Sequence, residues 1–313
     1  MVCVGVIANP ASGRDIRRLV AGASVFGNAD KAGMVFRLLA GLGATGVDRV
    51  LMMPATDGLS TTLHRHLRTA RDLPVLEELP MQLDGSAQDS LDAVAAMRAR
   101  DVRAIVVLGG DGTHRVVAKG CGEVPLCAIS TGTNNAFPEL RETTVAGMAV
   151  GLVATGRAAV LRRESALAVG GDLALVDVAV SRERFIGARA VWRPADVSEL
   201  FVTFANPSAV GLSAIAGALE PLPRGGGRGL HVRLGEGRTV TVPLAPGLVA
   251  PVSVASHRVI AHGEEVEIEP GVGTIALDGE RELERRGQPI TVRLVEGPLT
   301  IDIDATLAQL PRA

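Results

Sequence analysis

The chain has 313 residues, 47% of them hydrophobic and 21% charged, which fits one large or two ordinary globular domains. The formal net charge of −2 argues against nucleic acid as the main partner, because phosphate backbones are met by a basic excess. Three cysteines without metal-ligand spacing indicate a reducing compartment, so we predict a cytoplasmic protein. No apolar run is long enough to cross a bilayer, so no membrane span is predicted.

The first part of the chain alternates short apolar runs with helical patterns, which is typical of a parallel sheet with crossover helices. The run from Ala104 to Leu108 is apolar throughout, as in a strand buried on both faces. The pattern predicts strands at 4–8, 49–53, 75–81, 104–108 and 125–129, and helices at 30–42, 86–100, 114–119 and 143–156. We therefore predict an α/β fold with a Rossmann-like nucleotide-binding domain over residues 1–150.

After about residue 157 the pattern changes to short alternating segments separated by Gly and Pro turns. This favours a mostly antiparallel β-sandwich domain, which we assign to residues 151–299. The predicted strands are 166–169, 173–180, 231–234, 239–242, 266–268, 274–277 and 290–295. The glycine-rich segment 224–229 predicts an exposed loop, with a phosphate lid as the alternative.

The segment Gly109-Gly110-Asp111-Gly112-Thr113 comes where the buried strand ends and a helix begins. Ligands bind at that edge of open α/β sheets, glycines let the backbone approach a phosphate, and a helix N-terminus offers free N–H groups. Asp111 is unusual there, since a carboxylate repels phosphate unless it binds Mg²⁺ or accepts the proton of an attacking hydroxyl. The alternative is a plain strand-to-helix turn with Asp111 as the helix cap.

Two further segments carry polar side chains beside glycines. Thr131-Gly132-Thr133-Asn134-Asn135 follows another apolar run and offers hydroxyls and amides in a second strand-end loop, although a plain turn has the same composition. Asp278 and Gly279 lie in the second domain, and by themselves they also fit a tight hairpin turn.

In this order, these segments resemble the motifs of the ATP-NAD kinase family and the diacylglycerol kinase-like superfamily. The similarities are Asn9-Pro10-x-Ser12-Gly13 to NPxSG, Gly109 to Thr113 to GGDGT, Gly132-Thr133-x-Asn135 to GTxN, and Leu277-Asp278-Gly279-Glu280 to the C-terminal DGE motif. The resemblance spans nearly the whole chain. It implies ATP in a cleft between a Rossmann-like domain and a β-sandwich, and a C-terminal tail, residues 300–313, that returns to the first domain.

Within that family, segments 7–15, 52–54 and 129–138 most resemble the acetoin-catabolism protein X group. Two positions depart from the better-known branches. Val176 and Asp177 stand where NAD kinases have an Asn-Glu pair that grips the dinucleotide, which argues against NAD as acceptor. Ala136 stands where lipid kinases have Asp, which argues against a lipid. We therefore expect a soluble acceptor.

The resemblance implies an ATP- and Mg²⁺-dependent kinase that phosphorylates a hydroxyl of a small molecule, in a reaction linked to acetoin catabolism. Asp111 is then the group that activates the hydroxyl, and Asp278 and Glu280 are catalytic carboxylates that reach the cleft from the second domain, with Asp278 binding the metal. The implied nucleotide-binding residues are Asn9, Ser12, Gly109, Gly110, Gly112, Thr113, Gly132, Thr133, Asn134 and Asn135.

Related kinases are often dimers or tetramers, so the resemblance also implies a homo-oligomer.

Other functions stay open at this point. A nucleotide-binding regulatory protein without turnover is the alternative to a kinase. An NAD(H)-binding oxidoreductase is disfavoured, because no GxGxxG follows the first predicted strand.

Overall fold

The computed structural model of the protein describes residues 1–10, 26–55, 58–132, 134–184, 190–191 and 193–310. Ser12 and Thr133, two of the predicted nucleotide contacts, lie outside these residues. Within the described ranges, no helix is both long and apolar enough to cross a membrane.

Five parallel strands form the N-terminal part of the larger sheet. They are β1 (Cys3–Ala8), β2 (Arg49–Met52), β3 (Val75–Glu78), β4 (Ile105–Gly109) and β5 (Leu126–Ser130), in the order β3-β2-β1-β4-β5. From β1 the strand order runs through β2 to β3 on one side, and β4 and β5 follow on the other side, so the order reverses between β1 and β4. Such a reversal opens a crevice at the carboxyl ends of the strands. Asn9 and Gly110 directly follow those two strand ends.

Helices cover both faces of these strands. They are α1 (Asn28–Ala44), α2 (Leu59–Leu67), α3 (Ala87–Arg98), α4 (Asp111–Gly120) and α5 (Thr143–Ala154). Val106 and Leu108 of β4 pack with α1, α2 and α5, whereas Ile105 and Val107 pack with α3 and α4. Successive side chains of a strand point to opposite faces, so a wholly apolar strand serves both layers. The predicted Rossmann-like arrangement is confirmed.

The rest of the chain is mostly antiparallel. Its described elements are β6 (Leu161–Val169), β7 (Asp172–Ala174), β8 (Asp177–Ser181), β9 (Val197–Val202), α6 (Ser213–Leu219), β10 (Arg228–Ala245), β11 (Leu248–Ala261), β12 (Glu265–Glu267), β13 (Val272–Leu277), β14 (Glu280–Arg286), β15 (Thr291–Ile301) and α7 (Ile303–Leu307). One sheet has the order β11-β10-β9-β8-β13-β14, and β6, β7, β12 and β15 extend the first sheet to nine strands. Leu167 and Leu294 of the first sheet pack against Phe201 and Ile275 of the second. This confirms the predicted β-sandwich.

The two halves of the chain share the larger sheet. Residue 150, the predicted end of the first domain, lies inside α5. β15 pairs in parallel with β5 through Thr300 and Leu126, and it pairs antiparallel with β6 on its other side. β15 therefore joins the parallel strands to the antiparallel ones, and one continuous sheet carries the crevice and also forms one layer of the sandwich.

Candidate active site

The loops after β1 and β4 are hydrogen-bonded to each other at the crevice. Nδ2 of Asn9 donates to Oγ1 of Thr113 at 2.9 Å. Lys31 on α1 is buried, and its Nζ donates to the carbonyl oxygen of Asn9 at 2.9 Å. The structure thus brings Asn9 and Thr113 together, as expected for residues at the carboxyl ends of neighbouring parallel strands.

The three glycines of the Gly109–Thr113 segment differ in their surroundings. A Cβ on Gly109 would lie 2.8 Å from Cβ of Thr113, and a Cβ on Gly110 would lie 3.0 Å from Oδ1 of Asn135. Among the described residues, a Cβ on Gly112 would meet only Oε2 of Glu280, at 3.8 Å. Packing within the protein therefore accounts for the first two glycines, whereas no described residue fills the space beside Gly112.

Asp111 begins α4, and the loop after β5 holds its carboxylate. Oδ1 accepts a hydrogen bond from the N–H of Phe137 at 2.8 Å, and both oxygens accept from the N–H of Ala136 at 3.1 Å. The N-cap of α4 is Gly110, so the alternative interpretation of Asp111 as the cap is wrong. These bonds fix a carboxylate at a helix N-terminus, where negative charge is favourable, and connect the two strand-end loops.

Asn135 orders the second strand-end loop. Its Nδ2 donates to Oγ of Ser130 at 2.7 Å and to the carbonyl oxygen of Gly132 at 3.4 Å, and its Oδ1 faces Gly110. Oδ1 of Asn134 is buried and accepts no hydrogen bond from the described residues. Gly132 and Asn135 therefore lie beside the Gly109–Thr113 segment, as the motif order predicted.

Asp278 lies inside the protein, between the β13–β14 turn and the segment that leads into β8. It is buried, its Oδ1 accepts hydrogen bonds from the N–H groups of Leu175, Val176 and Asp177 at 2.9, 2.7 and 3.3 Å, and its Oδ2 lies 3.5 Å from Nε of Arg115. Burial raises the pKa of Asp278 well above its ordinary value, and Arg115 opposes that shift. The backbone holds Oδ1, and no described residue donates a hydrogen bond to Oδ2, so the catalytic and metal-binding roles expected of Asp278 stay predictions.

The Asp278-Gly279 pair forms the turn between β13 and β14. Both residues have positive φ, 52° and 79°, as a two-residue type I′ hairpin turn requires. The tight hairpin turn considered from the sequence is therefore present. It places Glu280, the first residue of β14, beside Gly112 at the start of α4.

Whether this site fits a metal ion depends on the phosphate ligand that would bind together with the metal. Among the described residues, no three His, Cys, Asp or Glu side chains are grouped to hold a metal. Mg²⁺ in phosphotransferases is bound by one or two carboxylates together with substrate phosphates. Glu280 lies beside Gly112, so Mg²⁺ fits here only in company with phosphate oxygens.

A cavity of about 690 Å³ opens next to these loops. It is lined by the loop after β5, between residues 130 and 140, by residues 204–210 after β9, and by residues 221–224. Arg224 lies in its wall with its guanidinium carbon 4.7 Å from the ring centres of both Phe137 and Phe204. The sequence analysis missed Arg224, because a lone arginine before a glycine run carries no signal of its distant aromatic partners.

Arg224 begins the segment predicted to be an exposed loop. The backbone there packs closely on β6, since a Cβ on Gly225 would lie 2.7 Å from the carbonyl oxygen of Arg163. The start of the segment is therefore not exposed, and this packing sets the position of Arg224.

Val176 occupies a buried position in front of β8. Its side chain belongs to an apolar cluster with Phe137, Ala166 and Phe204, and its N–H donates to Asp278. The residue that departs from the NAD kinase pattern thus supports the cavity wall from behind and contributes no polar side chain to a ligand.

Comparison with known proteins agrees with the motif order. Residues 4–158 match the ATP-NAD kinase N-terminal domain, and residues 160–297 match the acetoin catabolism protein X C-terminal domain. The acetoin catabolism protein X of Cupriavidus necator is 47% identical over 300 residues, which cover 90% of this chain and 84% of that protein. A crystal structure of a diacylglycerol kinase from Bacillus anthracis str. Sterne overlaps 95% of this chain and 96% of its own at a TM-score of 0.47 and 16% identity, too loosely to inform fold or function. The chain therefore belongs to the acetoin catabolism protein X family, with an NAD kinase-like N-terminal half.

Proposed function

We propose that the protein is an ATP-dependent kinase that transfers a phosphoryl group to a hydroxyl of a soluble small-molecule acceptor. The observation that carries this proposal is the Asp111 carboxylate, held at the N-terminus of α4 by the N–H groups of Ala136 and Phe137. A carboxylate fixed at the crevice of a doubly wound sheet, among glycines, lies where a phosphate donor and a hydroxyl acceptor meet.

The reaction is a direct displacement. The acceptor oxygen forms a bond to the γ-phosphorus of ATP, the bond from that phosphorus to the bridging oxygen breaks, and ADP leaves. The proton of the acceptor hydroxyl passes to the carboxylate of Asp111. Glu280, together with phosphate oxygens, would hold Mg²⁺, which when bound would offset the negative charge of the phosphates.

The donor is proposed to bind along the two strand-end loops. The N–H groups at the start of α4 offer hydrogen bonds to phosphate oxygens, and the open space beside Gly112 admits them. Asn9, Thr113, Gly132 and Asn135 order these loops. We keep Asp278 in a positioning role, since its hydrogen bonds fix the β13–β14 turn that carries Glu280.

The proposal extends to the pathway, the cellular compartment and the oligomeric state. The name of the Cupriavidus necator protein supports a role in acetoin catabolism. Cys3, Cys121 and Cys127 are buried free thiols, which supports a cytoplasmic location. A homo-oligomer is proposed by analogy with related kinases.

The test compares the wild type with Asp111→Asn, and uses Asp92→Asn on the exposed side of α3 as the matched control. ATP binding with Mg²⁺ is measured by calorimetry, and ADP release is measured with hydroxylated small molecules, NAD among them. We expect Asp111→Asn to lower turnover by roughly 10²–10⁴-fold while ATP binds within a few-fold of wild type, because the variant removes a proton acceptor. Full turnover in Asp111→Asn contradicts the mechanism.

The regulatory alternative gives a different result in the same experiment. ATP would then bind to the wild type, and no acceptor would be phosphorylated. An absence of ATP binding rejects both the kinase and the nucleotide sensor.

A further inference from the structure

The guanidinium of Arg224 is held in the wall of the 690 Å³ cavity without a hydrogen bond to any described residue. Only 17% of the side chain is exposed. The rings of Phe137 and Phe204 each lie 4.7 Å from the guanidinium carbon, and Nε is buried without a hydrogen-bond partner. An arginine offers five N–H donors in a planar fork that matches carboxylate and phosphate oxygens.

The nearest carboxylates do not meet this demand. Nε of Arg224 lies 3.5 Å from Glu164, and Nη1 lies 3.7 Å from Glu139. Oε1 of Glu164 accepts a hydrogen bond from Nε of Arg162 at 3.0 Å, and Oε2 of Glu139 accepts one from Nη2 of Arg141 at 2.8 Å, so each glutamate shares its charge between two arginines. These glutamates balance part of the charge of Arg224, but neither accepts a hydrogen bond from it.

Two aromatic rings are used to hold this cation, in a chain with only 2% aromatic residues. Cation–π contacts fix the plane of a guanidinium and leave its edge available for hydrogen bonds. Burial lowers the pKa of Arg224 from its ordinary value, which reflects the unfavourable desolvation that an anionic ligand would offset.

The cavity also lies next to the proposed proton acceptor. The N–H of Phe137 donates to Asp111 at 2.8 Å, and the ring of the same residue contacts Arg224. A single residue therefore links the anchor and Asp111. The same wall includes Val210, Leu222 and Pro223, which suit a short carbon skeleton, and the volume is in the range of small-molecule sites.

We propose that Arg224 binds the anionic group, a carboxylate or a phosphate, of a small hydroxylated acceptor, and so directs its hydroxyl towards Asp111. The assignment of the bound anion to an acceptor rests on the proposed kinase function, whereas anion binding at Arg224 does not depend on turnover. Arg224 belongs to the wall formed by residues 204–210 and 221–224 and not to the glycine loops. We therefore assign it to the acceptor and not to the phosphates of ATP.

The test uses three probes with one hydroxylated three-carbon skeleton: glycerol, glycerate and glycerol 3-phosphate. Calorimetry without ATP measures their binding to wild type, Arg224→Gln, Arg224→Lys and Arg228→Gln. Arg228 is the matched control, because its side chain is 56% exposed and it lies four positions further along the chain. Thermal unfolding verifies that each variant is folded.

We expect at least one anionic probe to bind the wild type tenfold or more tightly than glycerol does. Arg224→Gln should abolish that preference, Arg224→Lys should keep part of it because it retains the charge without the fork, and Arg228→Gln should leave it unchanged. The two anions distinguish a carboxylate site from a phosphate site. Equal binding of all three probes, or a preference that survives in Arg224→Gln, overturns the proposal.

A separate titration with Mg²⁺ and ATP distinguishes this proposal from the kinase proposal. We expect Arg224→Gln to change ATP affinity less than twofold. A tenfold loss of ATP affinity assigns Arg224 to the donor phosphates and overturns the acceptor role. A wild type that binds the anionic probes but not ATP supports the anion site and rejects the kinase.

Discussion

Oδ1 of Asp278 lies 2.7 Å from the amide nitrogen of Val176, and the neighbouring amides of Leu175 and Asp177 donate to the same oxygen. One carboxylate oxygen thus collects three backbone hydrogen bonds from the segment that leads into β8. The contact connects the β13–β14 turn to the backbone behind the cavity. Asp278, which the sequence predicts to be a metal ligand, therefore holds the β13–β14 turn against the segment before β8.

Replacing Asp278 tests this role. Asp278→Ala should lower the free energy of unfolding by about 2–4 kcal/mol, because three buried donors lose their acceptor and a residue with φ of 52° loses a side chain suited to it. Asp278→Asn keeps an acceptor oxygen and tolerates positive φ, so its loss should be less than half as large. Urea unfolding measures the free energy of unfolding of both variants, and equal losses in the two variants contradict this structural role of Asp278. The Mg²⁺ dependence of ATP binding should be unchanged in Asp278→Asn.

The buried His114 should make stability depend on pH. Burial lowers its pKa to about 4, and its Nδ1 lies 2.8 Å from the carbonyl oxygen of Gly110. The folded protein therefore keeps the ring neutral, whereas the unfolded chain binds a proton below about 6.5. Stability should fall as the pH drops from about 6.5 to about 4 and should lose roughly 2 kcal/mol from this group by about pH 5.

The measurement compares urea unfolding at neutral pH and near pH 5 in wild type and His114→Asn, which retains a donor for the Gly110 carbonyl. His114→Asn should lose most of this part of the pH dependence. His262→Asn, at an exposed histidine, should behave as the wild type does. Identical pH profiles for wild type and His114→Asn would show that the ring is not buried in its neutral form.

A substitution at Gly112 should weaken ATP binding without destabilising the fold. Gly112 lies within α4, and the only described atom that an added Cβ would meet is Oε2 of Glu280, at 3.8 Å. Gly112→Ala should therefore leave stability unchanged or raise it by up to about 1 kcal/mol through helix propensity. ATP affinity should nevertheless fall tenfold or more, because the added methyl group occupies the space proposed for phosphate.

Gly33→Ala, within α1, is the control for helix propensity alone, since among the described residues its Cβ would meet only the far end of Arg37. It should leave ATP affinity at the wild-type value. Unchanged ATP affinity in Gly112→Ala would place the phosphates elsewhere.

Local pattern predicted some elements well and missed others. The apolar runs of β1 and β4 are recognisable because their burial on both faces leaves no polar positions. α2 was missed because its helical stripe consists of Leu59, Leu63 and Leu67 among threonines and histidines, which are weak helix formers, and packing on α1 decides its structure. β14 was missed because six of its seven residues are charged, and its strand conformation comes from pairing with β13.

The sequence by itself determined the α/β class, the loop at the end of β4 and the family, because glycines, apolar runs and motif order are properties of neighbouring residues. Only the tertiary structure decided which carboxylates face the crevice. Asp278 and Glu280 are two positions apart, yet the hairpin turn directs one into the protein and places the other beside Gly112. It likewise decided the role of Arg224, since the partners of that cation, Phe137 and Phe204, are distant in the chain and meet it only when the sheets have formed.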